Sequence, residues 1–196
     1  TFIASDGTST GGNITRVKKS DLDALSTFLI NNFDYNPGNY QDYPMLTQSD
    51  KALLKFDWNI NDKHKLSLRG NMLKSKRDVP MSSSGGFNGR RDNLFGMAFE
   101  NSNYIINNDI YSGILQLNSR FSSKFNNELI FGYTANRDYR NQKAGAFPTV
   151  DILDGADRNY IAFGSEPFTP NNVLNTDTWQ FSDNLTYYAG KHTLSV

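Results

Sequence analysis

The feature that most constrains the fold is a strict alternation of apolar and polar residues on both sides of a short polar turn, in the segment KALLKFDWNINDKHKLSLRGNMLKS at 51–75. Successive side chains of a β-strand point to opposite faces, so each run has one apolar and one polar face. The link NDKH at 61–64 is rich in Asn and Asp, as is typical of the turns that close hairpins. Two amphipathic strands joined by a tight turn are therefore predicted here.

The same unit recurs along the chain. Alternation resumes at 103–140 and again at 173–196. The hexapeptide KHKLSL at 63–68 returns as KHTLSV at 191–196, each time next to a short turn. The runs extend over about 10 residues or more, whereas a strand of a globular protein usually has about 5–6. The pattern indicates that one long hairpin is used repeatedly.

The links between the runs alternate in length. Short links lie near 61–64, 122–127 and 189–191, and long ones lie at 76–102 and 141–172. Unstructured loops longer than about 12–15 residues are uncommon in compact domains. Transmembrane β-barrels, in contrast, have short periplasmic turns at one end and long extracellular loops at the other. The alternation of link lengths therefore favours a barrel.

The predicted fold is all-β: a segment of an antiparallel, up-and-down transmembrane β-barrel with about six long strands, short periplasmic turns and long extracellular loops. Residues 1–196 are predicted to form a partial outer-membrane β-barrel domain. Its parts are an extracellular loop with a short helix at 1–48, hairpins at 49–75, 103–140 and 173–196, and long loops at 76–102 and 141–172.

One helix is predicted within the first loop. Ser20 is the expected N-cap, and Asp21 lies in the first turn, where a negative charge is favourable. The sequence YNPG at 35–38 ends the helix. A small helix packed within a loop is preferred over one that binds a partner. The apolar residues at helical spacing are Leu22, Leu25, Phe28 and Leu29.

The alternation assigns each strand residue to one side of a barrel wall. The residues predicted to line a polar lumen are Lys55, Asp57, Asn59, Arg69, Asn71, Gln116, Asn118, Arg120 and Asn136. The residues predicted to face lipid are Leu54, Phe56, Trp58, Leu66, Leu68, Leu115, Leu117 and Phe131. Trp58, Phe121 and Tyr187 each precede a short turn and are predicted to form an aromatic girdle at the membrane interface. Asp183 interrupts the apolar face of its strand, either at a one-residue bulge or at a position that lipid does not reach.

The composition leaves two folds open. Hydrophobic residues make up 37% of the chain and aromatic residues 13%, and the mean hydropathy is −0.59. These values fit a transmembrane barrel with a wet lumen. They also fit the alternative, a soluble β-sandwich that binds a ligand such as a carbohydrate through aromatic residues of its loops. No run of about 20 apolar residues is present, which excludes a membrane-spanning helix.

Charge and cysteine content exclude several classes of function. The chain has 20 basic and 20 acidic residues, so nucleic acid is not an expected partner. It has no Cys, which excludes disulfides, a thiol nucleophile and a cysteine-based zinc site. The start TFIASDGTSTGG lacks the features of a signal peptide, and HTLSV at the end lies within an alternating run. A fragment of a longer protein is therefore expected.

No catalytic, cofactor or metal site is predicted, and the ligand-binding residues stay unknown. The acidic stretch at 151–159 offers oxygen ligands for calcium, but it lacks the spacing of an EF-hand, and a solvated acidic loop is preferred. His64 and His192 are preferred as interface residues beside a Lys rather than as a metal-binding pair. Arg90, Arg91 and several loop aromatics are candidates for ligand contact, although loop aromatics more often pack a loop onto its neighbours. These aromatics are Phe87, Phe95, Phe99, Tyr160 and Phe163.

Three stretches carry a resemblance to a known family: FDWNINDKHKLSLRGN at 56–71, DLDALSTFLINNFDYNPG at 21–38 and FSDNLTYYAGKHTLSV at 181–196. They resemble segments of TonB-dependent outer-membrane receptors of the Bacteroidetes type. The best match is the Oar-like group, in which a carboxypeptidase-regulatory-like domain precedes plug and barrel. The similarity spans most of residues 20–196, and it rests on barrel segments rather than on catalytic signatures.

The resemblance implies a barrel of about 22 strands with an N-terminal plug and a TonB box. It implies a place in the outer membrane of a Gram-negative bacterium, and import of a nutrient ligand driven through TonB or surface recognition in a related role. The implied partners are outer-membrane lipid, the remaining barrel strands and plug, an unknown nutrient ligand, and TonB through parts absent from this sequence. No enzymatic activity is implied.

Overall fold

The structure is a computed structural model of the chain and describes residues 2–9, 11–86 and 89–196. One predicted ligand-contact residue, Phe87, lies outside the described residues. In chain order the elements are β1 (Ile3–Ser5), β2 (Ile14–Lys18), α1 (Lys19–Phe33), β3 (Thr47–Asn61), β4 (His64–Val79), β5 (Met97–Ala98), a 3-10 helix (Glu100–Ser102), β6 (Tyr104–Arg120), β7 (Phe125–Gln142), β8 (Val150–Leu153), β9 (Asn159–Phe163), β10 (Val173–Ala189) and β11 (His192–Ser195).

The chain divides into two compact units. The first consists of Thr1–Thr47, Lys76–Asn107 and Tyr139–Asn172, and the second of Gln48–Ser75, Asn108–Asp138 and Val173–Val196. We call them the loop unit and the hairpin unit, because the first contains most of the long segments and the second contains the short turns.

The hairpin unit confirms the predicted all-β, antiparallel fold. Its strands belong to a six-stranded sheet with the order β11-β10-β7-β6-β4-β3, so that strands consecutive along the hairpins are neighbours in space. Five of these strands have 15 to 18 residues, which is the unusual length that the alternation indicated. Within the described residues the sheet is open, with β3 and β11 at its two edges.

The three short turns lie where the sequence placed them, and each is held by its own residues. The Asn61 carboxamide oxygen accepts the backbone N–H groups of Lys63 and His64 at 2.9 and 3.0 Å. The Ser122 hydroxyl oxygen accepts two N–H groups of the second turn in the same way. In the third turn Gly190 has a φ of 65°, a conformation that glycine adopts without steric cost. Side chains therefore stabilise the first two turns, and the conformation of a glycine accommodates the third.

The loop unit has structure that the sequence analysis did not anticipate. Strands β5, β9 and β8 form a three-stranded sheet from segments that had been expected to be loops. Met97 pairs with Ile161, and Val150 pairs with Phe163. A buried core forms around this sheet, and its most deeply buried apolar members include Val17, Leu22, Leu29, Met97, Phe99, Ile161 and Phe163.

Helix α1 differs from its prediction at the N-terminus. It begins at Lys19 with Lys18 as the N-cap, and no side chain caps it. The Ser20 hydroxyl contacts the Asp21 carboxylate instead. The helix ends at Phe33, where Asp34 adopts a left-handed conformation with a φ of 52°. Among the described residues no helix has the length and hydropathy needed to span a membrane.

The apolar stripe of α1 explains why the helix packs. Leu22 and Leu29 are buried in the core of the loop unit, whereas Phe28 remains 52% exposed. The predicted stripe was therefore right for the leucines and wrong for Phe28, which stacks edge-on against Phe33 at the surface. The helix therefore packs into the core of the loop unit, in agreement with the prediction of a small packed helix.

Candidate functional site

The polar face of the hairpin sheet is tied together by hydrogen bonds between side chains of neighbouring strands. Ser67 donates to Asp57 from β4 to β3. The Asn71 amide donates to Ser112 at 3.2 Å from β4 to β6. All four residues lie on the face that the alternation assigned to a lumen, so the predicted face is a physical surface of the sheet.

The same network continues across the next strands. The Gln116 amide of β6 donates to the Glu128 carboxylate of β7 at 2.5 Å, and the Asn184 amide of β10 donates to the other oxygen of Glu128 at 3.3 Å. At the sheet edge Lys55 pairs with Asp57 at 2.9 Å. Polar side chains satisfied by one another on an open surface suit a wall that faces water or a polar partner.

A polar concavity of about 770 Å³ lies on this face at the short-turn end of the sheet. Amides and charged groups line it, including Asn59, Lys65, Asn118, Glu128 and Asn184. Its lining includes negatively charged carboxylates, positively charged amines and one histidine, His64. Such a surface can hydrogen-bond a large polar partner.

The opposite face of the sheet is apolar and exposed. Leu54 is 77% exposed, and Trp179 is 65% exposed. Of the eight residues predicted to face lipid, five are exposed and three are half-buried, and none is buried. The exposed five are Leu54, Phe56, Trp58, Leu68 and Phe131. A single sheet with an exposed apolar face contradicts the alternative prediction of a soluble β-sandwich, which would bury that face against a second sheet.

Aromatic residues cluster near the short turns on the apolar face. Phe125 and Tyr187 stack with ring centroids 4.5 Å apart. Phe121 lies 6.0 Å from the ring of His64 in an edge-to-face arrangement. Trp58 lies on the same face near the end of β3 and is 53% exposed. Two of the three predicted girdle residues therefore have an aromatic neighbour close to a turn.

The interruption at Asp183 has a local explanation. The carboxylate accepts a hydrogen bond from the Asn127 amide at 2.7 Å, and Asn127 also lies on the apolar face of its strand. Farther from the turns on the same face, Asp177 accepts hydrogen bonds from Tyr133 and Arg137 at 2.7 and 2.6 Å. Both acids are paired, so neither presents an unpartnered oxygen at this surface.

The histidines do not form a metal site. His64 lies on β4 and bonds through Nδ1 to the Ser119 hydroxyl at 2.8 Å. His192 lies on β11, four strands away in the sheet order. No group of three or more metal-ligating side chains is found among the residues that the structure describes.

Two carboxylates of the acidic stretch in the loop unit are paired with arginines. Asp151 receives three contacts of 2.8–2.9 Å from the Arg90 guanidinium. Asp154 pairs with Arg16 at 2.5 Å and with Arg158 at 3.2 Å. The preference for a solvated acidic loop is therefore wrong for Asp151 and Asp154, which are paired, and fits residues 155–157, which are exposed.

Asp154 is the most strongly stabilised carboxylate of this stretch. The backbone N–H of Ala156 and the Arg16 guanidinium lower the pKa of the Asp154 carboxyl to about 2. The guanidinium groups of Arg16 and Arg158 also lie over the ring of Phe95, at 5.7 and 5.2 Å from its centroid. The cluster holds β2 and the 154–158 turn together through charge and through cation–π contact.

The loop aromatics have several roles. Phe99 and Phe163 are buried in the core. Tyr160 donates to the Asp21 carboxylate at 2.7 Å and so anchors α1 to β9. Phe95 is 47% exposed beneath the two arginines. Packing rather than ligand contact therefore explains Phe99, Phe163 and Tyr160, as the sequence analysis preferred.

A second charged cluster joins the segments of the loop unit. Lys143 contacts Asp78 and Glu100, each at 3.1 Å, and lies 5.7 Å from the ring centroid of Tyr43. Burial lowers the pKa of the Lys143 ammonium, but the two carboxylates more than reverse this, and the pKa is raised overall. None of these pairs was predictable from spacing, because the partners lie 43 to 65 residues apart.

Comparison with known proteins gives one match. A family model described as an outer membrane beta barrel domain matches residues 4–196, which is nearly the whole chain. No curated protein and no solved structure shows a significant match.

Proposed function

The chain belongs to the outer-membrane β-barrel domain family, and we propose on this premise that it forms part of the wall of a TonB-dependent receptor that imports a nutrient ligand. Membership of the family makes it an outer-membrane protein with an all-β fold. The receptor type, the cargo and a Gram-negative host are parts of the proposal. The observation that carries it is the two-faced sheet, with hydrogen-bonded polar side chains on one face and exposed apolar side chains on the other.

The apolar face fits contact with lipid. Inside a bilayer every backbone polar group needs a protein partner, so the edges at β3 and β11 must be paired by further strands. We therefore propose that additional strands of the full-length protein close the barrel. The polar face then lines the lumen. There an N-terminal plug would contact the hydrogen-bonded side chains of Gln116, Glu128 and Asn184, and the concavity at the short-turn end of the sheet.

The loop unit supplies the platform for ligand capture in this proposal. It joins the strand ends opposite to the short turns, so short periplasmic turns place its segments on the cell surface. A folded core and buried ion pairs give this unit fixed geometry, which lowers the entropy cost of binding. The receptor is proposed to act without catalysis, by capture followed by passage through the polar lumen.

The lipid face is tested by a pair of neighbouring substitutions. Leu68→Arg places a charge on the apolar face of β4. Because Ser67 contacts Asp57 across the two strands, Leu68 lies near the height of Trp58, where an arginine on the lipid face costs up to about 1 kcal/mol, against about 2–4 kcal/mol at the bilayer midplane. Ser67→Arg is the matched control, since a one-residue step moves the charge to the polar face. We expect a lower assembled fraction for Leu68→Arg than for Ser67→Arg when refolding into vesicles is followed by heat-modifiable migration on gels. Equal assembly of both variants would contradict the proposed orientation of the wall.

Energy coupling is tested separately on the full-length protein. The purified periplasmic domain of TonB is titrated onto the receptor in detergent, with and without its N-terminal region ahead of the barrel. We expect saturable binding that is lost with that region. If the full-length protein folds but does not bind TonB, the TonB-dependent receptor type is contradicted, and the protein is an outer-membrane barrel of a different, passive type.

A further inference from the structure

A small cavity of about 280 Å³ lies within the loop unit and has no role in the function proposed so far. Residues 41–45, 80–81 and 91–103 provide its walls, so all three segments of its lining belong to one unit. We call it the Tyr43–Asp92 cavity. Its volume is slightly below the range of about 300–1,000 Å³ that is typical of pockets for drug-sized ligands, so it suits a molecule with the size of one amino acid.

The frame of the cavity is fixed by internal hydrogen bonds. Asn103 is only 2% exposed. Its carboxamide oxygen accepts the Met81 N–H at 3.2 Å, and its amide donates to the Tyr43 hydroxyl at 3.3 Å. Because the Tyr43 oxygen accepts this bond, its own O–H stays available as a donor. The cavity is therefore built before any ligand arrives.

Arg91 and Asp92 face the cavity side by side with opposite charges, and each has unused capacity. Asp42 also lines the cavity, and its carboxylate accepts a hydrogen bond from the Gln41 amide at 3.3 Å. Arg91 donates from Nε to the Met81 carbonyl at 3.3 Å, and its two terminal nitrogens have no partner among the residues that the structure describes. Asp92 accepts the Ala98 N–H at 2.9 Å through one oxygen, and no described group bonds the other. Burial raises the pKa of the Asp92 carboxyl, so a cationic partner would stabilise its ionised form.

Apart from Gln41 and Asp42, the remaining walls are apolar and adaptable. Met45 and Met81 lie on them, together with Pro80 and Ala98. The chain has only four methionines, and two of them line this one cavity. Methionine side chains are flexible and polarisable, and proteins use them where apolar groups of varied shape must fit.

From this juxtaposition we propose that the Tyr43–Asp92 cavity binds a zwitterionic α-amino acid with an apolar side chain. Asp92 receives the ammonium group, Arg91 receives the carboxylate, and the methionine wall receives the side chain. The inference rests on the proposed function only in identifying the bound amino acid as cargo. Binding itself depends on the loop unit alone.

The test uses isothermal titration calorimetry on the full-length protein in detergent with three probes. L-Leucine carries both charges, N-acetyl-L-leucine lacks the ammonium, and L-leucinamide lacks the carboxylate. Each lost charge-assisted hydrogen bond is expected to weaken binding by about tenfold or more. The three probes alone therefore test the proposal on the unmodified protein, even if a variant fails to fold.

The variants then assign each charge to its residue. Asp92→Asn keeps an acceptor for the Ala98 N–H, and we expect about tenfold weaker binding of leucine with no change for N-acetyl-L-leucine. Arg91→Gln is expected to weaken leucine binding similarly and to leave L-leucinamide unchanged. Asp6→Asn, which removes a charge from an exposed turn outside the cavity, is the control.

Absence of leucine binding, or equal binding of the three probes, would overturn the assignment. Leucine binding that both cavity variants leave unchanged would overturn it as well. These outcomes are separable from failure of the transport proposal. A protein that binds TonB but not leucine loses only the cavity assignment, and a protein that binds leucine but not TonB loses only the coupling.

Discussion

Replacing Arg90 by methionine is expected to destabilise the loop unit without affecting the hairpin sheet. Arg90 is 7% exposed. Its Nε lies 2.8 and 2.9 Å from the two carboxylate oxygens of Asp151, one terminal nitrogen lies 2.8 Å from the same group, and the other donates to the Ser84 carbonyl at 2.7 Å. These bonds attach Arg90 and Ser84 to β8.

The expected magnitude follows from what the substitution leaves behind. Arg90→Met keeps most of the side-chain volume but leaves the Asp151 carboxylate, which is 17% exposed, without its cation. Removing one partner of a buried ion pair costs about 3–5 kcal/mol. Since each 1.4 kcal/mol is about a factor of ten, the equilibrium for local opening should rise by about two to three and a half orders of magnitude.

Native-state hydrogen exchange with mass spectrometry measures this opening directly. Peptides covering β8 and β9 should exchange faster by that factor, and peptides of β6 and β7 within the hairpin unit should not change. Lys55→Met is the matched control, because the Lys55–Asp57 pair is largely exposed and such pairs are worth about 0–1 kcal/mol. The double variant Arg90→Met with Asp151→Leu should recover much of the loss, since it removes both charges.

A change of less than about tenfold in the exchange of β8 and β9 would contradict this expectation. It would mean that Asp151 finds water or another partner when Arg90 is removed. The pair would then be an ordinary surface contact, and the loop unit would depend on its apolar core alone.

Three further outcomes are expected. Gly164→Ala should abolish exchange protection of the β8–β9 pair, because Gly164 has a φ of +90° and an added Cβ would lie 1.9 Å from the Pro148 carbonyl oxygen. The loop unit should loosen as the pH falls from about 4 to about 2. The lowered pKa of Asp154 stabilises the fold at pH values above 3.8, the ordinary pKa of the group, and this contribution is lost as the pH falls through about 2. Near-UV circular dichroism across this range measures the transition, and Asp154→Asn should remove the part that is due to Asp154. Replacing both Asp183 and Asn127 by leucine should leave assembly into vesicles at least as efficient as in the unmodified chain, because the two polar groups satisfy only each other on the apolar face; a clear loss of assembly would show that the pair serves another contact.

The hairpins were predictable because their signal is local. Alternation with period two, and turn residues such as Asn61 and Gly190, lie within a few positions of the structure they specify. The face of each strand residue follows from its place in the alternation alone. Even Asp183, which looked like a defect, keeps to the face that the alternation assigns it, and its partner Asn127 does too.

The loop unit was not predictable from the sequence for the opposite reason. Its strands have 2 to 5 residues, too few to establish a period. Their pairing joins residues as distant as Met97 and Ile161. The acids at 151 and 154 resemble a cation site when only their own segment is considered, but the partners that neutralise them, Arg90 and Arg16, lie far away in the chain.

The apolar face of the sheet is proposed to contact lipid, and the two tryptophans of the chain report on this contact directly. Trp58 and Trp179 both lie on that face and are 53% and 65% exposed. The variant Trp58→Phe keeps Trp179 as the reporter of this chain, and Trp179→Phe keeps Trp58. The variants are made in the full-length protein, or in this chain if it assembles alone. The measurement is quenching of the remaining fluorescence in vesicles whose acyl chains carry bromine, compared with quenching by iodide in the water phase.

Brominated acyl chains are expected to quench each tryptophan strongly, and iodide is expected to quench each only weakly. Trp58 lies three residues from the end of β3 and Trp179 ten residues from the end of β10, so the two should respond differently to bromines placed at shallow and deep positions of the acyl chain. Strong quenching by iodide with no effect of brominated lipid, for both tryptophans in the assembled protein, would show that the apolar face is not in the membrane.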